Sequence, residues 1–172
     1  MAGFVRKQLR RAHGMLRARI QELSVVFVGD RRMKQLHWQF MGLGTTTDVL
    51  TFPLDEDTKR RVVSGEVYVC IAEARRQVKT GGIPLKHEVL LYSLHGLLHL
   101  CGFDDRTERD HREMHHMEDK ILTNLGVGQV YARQIKGQPP HRRSGMGYNA
   151  GRSFGRPGTR ANRRGIGGEN AE

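Results

Sequence analysis

Leu90-Leu91-Tyr92-Ser93-Leu94-His95-Gly96-Leu97-Leu98-His99-Leu100-Cys101-Gly102-Phe103-Asp104-Asp105 is the stretch on which the fold turns. Leu90, Leu94, Leu97 and Cys101 recur at helical spacing while Leu91 and Leu98 widen the stripe, so Leu85 to Cys101 reads as a helix that is apolar over much of its surface. Such a helix belongs at the centre of a domain. Pro84 is well placed to open it, and Gly102 supplies a left-handed residue to end it. Set into this apolar helix are His95 and His99, one turn apart on one face.

Working outward, residues 3–20 place Phe4, Val5, Leu9, Ala12, Leu16 and Ile20 near helical spacing among Arg and Lys, a basic amphipathic helix. Ser24 to Gly29 is β-branched and aromatic and reads as a buried strand, after which Asp30 caps a helix from Arg31 to Gln39. Thr47 to Phe52 reads as a second strand stopped by Pro53, with Asp55-Glu56-Asp57 in a solvated turn. Gly65 to Ile71 reads as a third strand running into a helix from Ala72 to Lys79, and Arg109 to Leu125 as a last helix closed by Gly126. The predicted fold class is α+β (mixed α/β): a small, mainly parallel sheet of three to four strands packed against about five helices. The metal site is expected on the central helix and the turn after it.

A chain of 172 residues, 37% of them hydrophobic, suits one domain with a core. Its net charge of +11 is concentrated at the ends: residues 1–20 carry +6, residues 137–172 carry +5, and the middle sums to zero. Basic ends on a neutral body suit a polyanion, because each Lys or Arg placed on a phosphate releases counterions; solvated, solubilising ends account for the charge equally well. With nine glycines and seven arginines, residues 137–172 read as a basic, disordered tail beyond a domain of residues 1–136. Cys70 and Cys101 lie in apolar runs and read as buried, reduced thiols, which favours the cytoplasm. No stretch approaches the roughly 18 apolar residues of a membrane span, and residues 1–20 lack the apolar core of a secretory signal.

In a chain with nine histidines, a His-x-x-x-His pair can be accidental or a pair of satisfied core groups. Here the backbone can reverse at Gly102 and return Asp105 to an ion held by His95 and His99. Two nitrogens, one carboxylate and a water in the fourth place would make a catalytic zinc site rather than a structural one. The metalloprotease motif sets a general base, Glu, directly after its first His; that position is Gly96, so a peptidase reading lacks its base. Asp104 is a candidate catalytic residue that orients a ligand, and a turn carboxylate explains it nearly as well.

These residues resemble the YbeY endoribonucleases, whose signature is His-Gly-x-Leu-His-Leu-x-Gly-Tyr-Asp-His. The chain reads His95-Gly96-Leu97-Leu98-His99-Leu100-Cys101-Gly102-Phe103-Asp104-Asp105. Thr47-Asp48-Val49-Leu50-Thr51-Phe52-Pro53 is similar to the family's Thr-Asp-Val-Leu-Ser-Phe-Pro, and Gly65-Glu66-Val67-Tyr68 to its Gly-Asp-Ile strand. Glu113-Met114, Glu118, Ile121-Leu122 and Leu125-Gly126 fit its closing helix, and the resemblance runs in order over about residues 24–126. It implies a zinc ion on His95, His99 and Asp105 and cleavage of single-stranded RNA in ribosomal RNA maturation and quality control. It also implies partners in the ribosomal subunit or its proteins.

The chain departs from the family in several places. Asp105 stands where the family has a third His, a competent oxygen donor but an anionic one that makes the ion a weaker Lewis acid. His111, His115 or His116 is the alternative third ligand, although Asp105 holds the matching position. Met41 and Leu43 replace the family's Arg and Lys in the loop before the Thr-Asp-Val-Leu strand, which removes a guanidinium suited to a phosphoryl centre. Arg31, Arg32 or Lys34 is the candidate substitute, with solvated surface charge as the plainer account. The alternative function is therefore a metal-containing RNA- or ribosome-binding maturation factor with weak or no cleavage. Asp48, Thr51 and Glu66 match positions that line or brace the family's cleft, yet each also suits a purely structural place in a sheet. Trp38 and Phe40 are candidates to stack on bases, with core packing expected for at least one.

Overall fold

Residues 62–70 form the middle strand of the sheet, and the alternation of their side chains separates the layers. Gly65, Val67 and Val69 face a helix rich in leucine, whereas Glu66, Tyr68 and Cys70 face the opposite side. A computed structural model describes residues 1–81 and 83–129. The elements run α1 (Ala2–Leu16), β1 (Glu22–Val28), α2 (Asp30–Met41), β2 (Val49–Glu56), β3 (Val62–Cys70), α3 (Ile71–Gly81), α4 (Leu85–Leu100) and α5 (Glu108–Asn124). The expectation for a tail at 137–172 falls outside the described residues.

The five helices and small mixed sheet make an α+β fold. The sheet has three strands in the order β1-β3-β2; β1 pairs with β3 in parallel and β2 pairs with β3 antiparallel. It is thus evenly mixed rather than mainly parallel. The antiparallel pair arises because residues 57–61 close a tight turn: the Asp57 carboxylate accepts from the backbone N–H of Lys59 and Arg61, both at 2.9 Å, and Arg60 takes a left-handed φ of 57°. Pro53 does not stop β2, which continues to Glu56 with register shifts between Pro53 and Asp55 and between Asp55 and Glu56. On an edge strand a proline forfeits no ladder bond on the open side. Asp55 and Glu56 therefore lie in the strand, and Asp55 accepts a hydrogen bond from the Ser64 hydroxyl at 3.2 Å.

Helix α4 is buried on every face from Glu88 to Leu100, and α1, α3 and α5 pack around it while β2 and β3 cover its remaining side. Two glycines let it lie so close to the sheet. A Cβ on Gly96 would stand 2.4 Å from Val67 Cγ1, and one on Gly65 would stand 2.8 Å from both methyls of Leu100. Helix α2 covers the opposite face through Met33 and Leu36, against Leu50 and Cys70. Asp30 is its first residue rather than its cap, which is Gly29, and the Asp30 carboxylate instead takes two guanidinium nitrogens of Arg76 on α3, each at 2.7 Å. Phe40 packs on Phe52 with ring centroids 4.7 Å apart, while Trp38 is 65% exposed, so only Trp38 is available to a base. Among the described residues no helix is long and apolar enough to cross a membrane.

Candidate metal centre

The one-turn spacing on α4 sets the Nε2 atoms of His95 and His99 3.0 Å apart. The helix then ends as a left-handed glycine dictates: Gly102 has φ 94°, its N–H reaches the carbonyl of His99 at 3.0 Å, and the Phe103 N–H reaches that of Leu98 at 3.1 Å. This reversal returns Asp105 to the two rings, with its Oδ2 3.6 Å from His95 Nε2 and 4.0 Å from His99 Nε2. One donor atom from each of the three residues lies within 4.8 Å of the other two, the grouping among the described residues that suits a metal.

The opposite edges of both rings are fixed. His99 Nδ1 lies 3.0 Å from the carbonyl of Phe103, which can only accept, so that nitrogen carries a proton. His95 Nδ1 lies 2.7 Å from Oε1 of Glu118, a carboxylate with no solvent exposure. Burial opposes ionisation of Glu118, but the His95 and His115 imidazoles hydrogen-bonded to its two oxygens outweigh it and hold the carboxyl well below its ordinary range. A carboxylate there accepts a hydrogen bond from His95 Nδ1, so in the neutral rings both Nε2 lone pairs face each other and Asp105. Its Oδ1 is buried with no hydrogen-bond partner among the described residues.

A metal satisfies this arrangement. Three inward-facing acceptors are mutually repulsive without a cation, and a tetrahedral ion with bonds of about 2.0–2.1 Å separates its ligand atoms by about 3.3–3.4 Å. The observed edges of 3.0, 3.6 and 4.0 Å bracket that value. The nitrogen, nitrogen and carboxylate set suits a divalent transition-metal ion.

Asp104 does not join this cluster. Its Oδ1 accepts from the Asp105 N–H at 2.8 Å and its Oδ2 from Arg106 Nε at 2.6 Å, so it shapes the turn that presents Asp105 instead of standing beside the ion. Of the alternative third ligands, His115 places Nδ1 2.5 Å from Glu118 Oε2, His111 packs edge-on against His115, and His116 is exposed. Glu66 lies across the sheet from the histidines and accepts from the Tyr68 hydroxyl at 3.0 Å. Asp48 receives the Thr47 hydroxyl at 3.0 Å, and Thr51 sits on the α4 face, with Oγ1 3.2 Å from where a Gly96 Cβ would be. Arg31, Arg32 and Lys34 stand on α2, the layer opposite α4, so nothing places them as substitutes for the family's Arg.

Glu118 and His115 carry structural weight that sequence reasoning did not assign. A signal existed: Met114, Glu118, Ile121, Leu122 and Leu125 share one helical stripe, and a carboxylate on the apolar face of α5 needs a buried partner.

Burial, reinforced by the nearby His95, pushes the His99 imidazole below its ordinary range. The unfolded chain therefore binds more protons than the folded one as pH drops below about 6.5, and stability falls with it. We expect metal-free protein to melt several degrees lower at pH 5 than at pH 7.5 in a calorimetric scan; a melting temperature that is flat or rises toward acid would contradict this burial.

The profile described as Endoribonuclease YbeY matches residues 3–126, which enclose every residue of this cluster. Endoribonuclease YbeY of Beutenbergia cavernae is 38% identical over 114 residues, covering 62% of this chain and 76% of that protein. The Saccharopolyspora erythraea protein of the same name is 34% identical over 130 residues, covering 70% of this chain and 71% of its own. In fold, the chain is similar to the solution structure of protein TM1509 from Thermotoga maritima, with a TM-score of 0.51, 23% identity, and coverage of 81% of this chain and 91% of that one. With the profile spanning most of the chain, and the signature's two histidines and glycine turn in place, the chain belongs to the YbeY family.

Proposed function

We propose that this protein is a zinc-dependent endoribonuclease that cuts single-stranded RNA during ribosomal RNA maturation and ribosome quality control in the cytoplasm. The reading rests on one observation above all: two histidine Nε2 atoms, each on a ring whose Nδ1 is already bonded elsewhere, converge with a buried carboxylate whose Oδ1 has no partner among the described residues. His95, His99 and Asp105 would hold the ion. When bound, zinc supplies Lewis acidity toward a phosphoryl oxygen and lowers the pKa of a coordinated water toward neutrality.

The chain's own groups prepare that site. Glu118 fixes the His95 tautomer and ring angle, the Phe103 carbonyl does the same for His99, and Asp104 braces the turn that carries Asp105. Gly96 leaves no carboxylate after the first histidine to serve a peptidase. Residues 1–136 form the catalytic domain in this reading, and residues 137–172 a basic tail that adds affinity for ribosomal RNA, with ribosomal proteins as further partners.

A second reading is supported by Met41 and Leu43, two uncharged residues where the family carries Arg and Lys: an RNA-binding maturation factor whose cleavage is weak. One assay separates the two. Metal-loaded protein is incubated with ribosomal RNA beside Asp105→Ala and Met41→Arg variants. A nuclease cuts, loses cutting in Asp105→Ala, and gains about ten- to a hundredfold in Met41→Arg, the effect of a charge-assisted hydrogen bond worth about 1.5–3 kcal/mol. RNA retained intact by all three proteins favours the binding factor.

A further inference from the structure

A cavity of about 620 Å³ opens beside the metal centre, with His99 in its wall. It lies where the end of α1, the β2–β3 turn, the end of α4 and one face of α5 meet. Its lining includes Arg17, Arg19, Arg60, Arg61 and Lys120 and contains no Asp or Glu. Arg61 is neutralised by Asp57 at 2.6 Å, but Arg17, Arg19, Arg60 and Lys120 form no ion pair among the described residues. Apolar side chains, among them Ile20, Val62, Leu100, Phe103 and Ile121, complete the wall.

Two of these cations sit on strained backbone. Arg17 (φ 49°) and Arg60 (φ 57°) are the non-glycine residues with positive φ among the described residues, and both line this one cavity. Glycine or asparagine takes that conformation more readily; Arg17 even occupies the helix cap where glycine is the usual choice. The end of α1 and the β2–β3 turn thus bring two arginines from distant segments to one opening, where guanidinium groups unpaired among the described residues suit an anionic ligand.

Resting on the nuclease reading, we propose that this cavity is a substrate subsite: it holds one unpaired nucleotide next to the cleaved linkage, its base against the apolar wall and its flanking phosphates on Arg17, Arg19, Arg60 and Lys120. A guanidinium matches a phosphate's paired oxygens, and a base can enter only from a single strand because a duplex keeps its bases stacked. Specificity for single-stranded RNA thus resides in this cavity, and it supplies cationic contacts on a chain that has Met41 and Leu43 in the loop before β2.

The test uses full-length, metal-loaded protein and an Arg17→Gly, Arg60→Gly double variant, substitutions that relieve the backbone while deleting both charges. The expected result is an unchanged or higher melting temperature and unchanged metal content. The dissociation constant for a short fluorescent single-stranded oligoribonucleotide should rise at least about tenfold, with the salt slope flatter by about 0.7 for each lost phosphate contact. In cleavage, KM rises and kcat holds. An Arg19→Gln, Lys120→Gln variant should weaken binding in the same direction. If the wild type binds the strand through these residues yet does not cut it, the subsite stands and the nuclease reading falls. Unchanged affinity, KM and salt slope in a protein that cuts would overturn the subsite, as would equal affinity of the wild type for a duplex of the same sequence.

Discussion

A protein carrying both His95→Ala and His99→Ala is expected to lose nearly all its bound metal and to cut RNA at least about a thousandfold more slowly, since a metal contributes several kcal/mol to a phosphoryl transition state. The two rings supply two of the three donor atoms, and Asp105 alone, with one buried oxygen unbonded among the described residues, cannot hold an ion against solvent. The fold should survive in part, because α4 is held mainly by its leucines, but Glu118 would lose the imidazole that faces Oε1 and remain a buried charge paired with His115. Removing one partner of a buried pair costs about 3–5 kcal/mol, so a His95→Gln companion, which keeps a hydrogen-bond donor near Glu118, separates loss of metal from loss of fold. Elemental analysis and a single-stranded RNA assay report the two effects. Metal content equal to the wild type in the double variant would remove these histidines from the site.

Gly96→Ala should destabilise the protein by about 3 kcal/mol, the upper end for overpacking a core. The added methyl would stand 2.4 Å from Val67 Cγ1 and 3.0 Å from Cγ2. Val67 cannot turn away easily, because a β-branched side chain has restricted χ1 and this one lies fully buried on the central strand. The helix must shift instead, and His95 and His99 ride on it from either side of position 96. The loss is a large share of the roughly 5–15 kcal/mol that keeps a domain folded. A denaturant titration reads it as a lower midpoint at unchanged slope, and metal affinity should fall as well; an unaltered midpoint would show that the helix does not press on β3 at this glycine.

Periodicity made α4 readable as the central helix, since leucines on successive turns imply burial on more than one side and the structure buries all sides. The reversal at Gly102 and the return of Asp105 were legible for the same local reason: a left-handed glycine after an apolar helix has few outcomes. Sheet direction was not. Strands alternating with helices suggest parallel crossovers, and the hairpin turn at 57–61 lacks an Asn-Gly or Asp-Gly pair, using Asp57 hydrogen bonds and a left-handed Arg60 in their place. The pattern of α1 seemed to continue to Ile20 because that residue is buried in phase, yet the helix ends at Leu16 and Ile20 reaches the core from a loop tied by His13 to its carbonyl at 2.8 Å. At the site, position in the signature separated Asp105 from Asp104, but sequence left Asp104 between orienting a ligand and serving the turn; its hydrogen bonds to the Asp105 N–H and to Arg106 assign it the bracing place. Glu118, thirteen residues after Asp105 on another helix, depends on how α5 docks against α4, which is a tertiary fact.

X-ray absorption at the metal edge of the purified protein tests the centre most directly. It should return about one ion per chain bound by two imidazole nitrogens and carboxylate or water oxygen at about 2.0–2.1 Å, with no sulfur, the pattern expected of zinc on His95, His99 and Asp105. A protein that takes up no divalent metal, or a spectrum with thiolate in place of imidazole, would contradict the account.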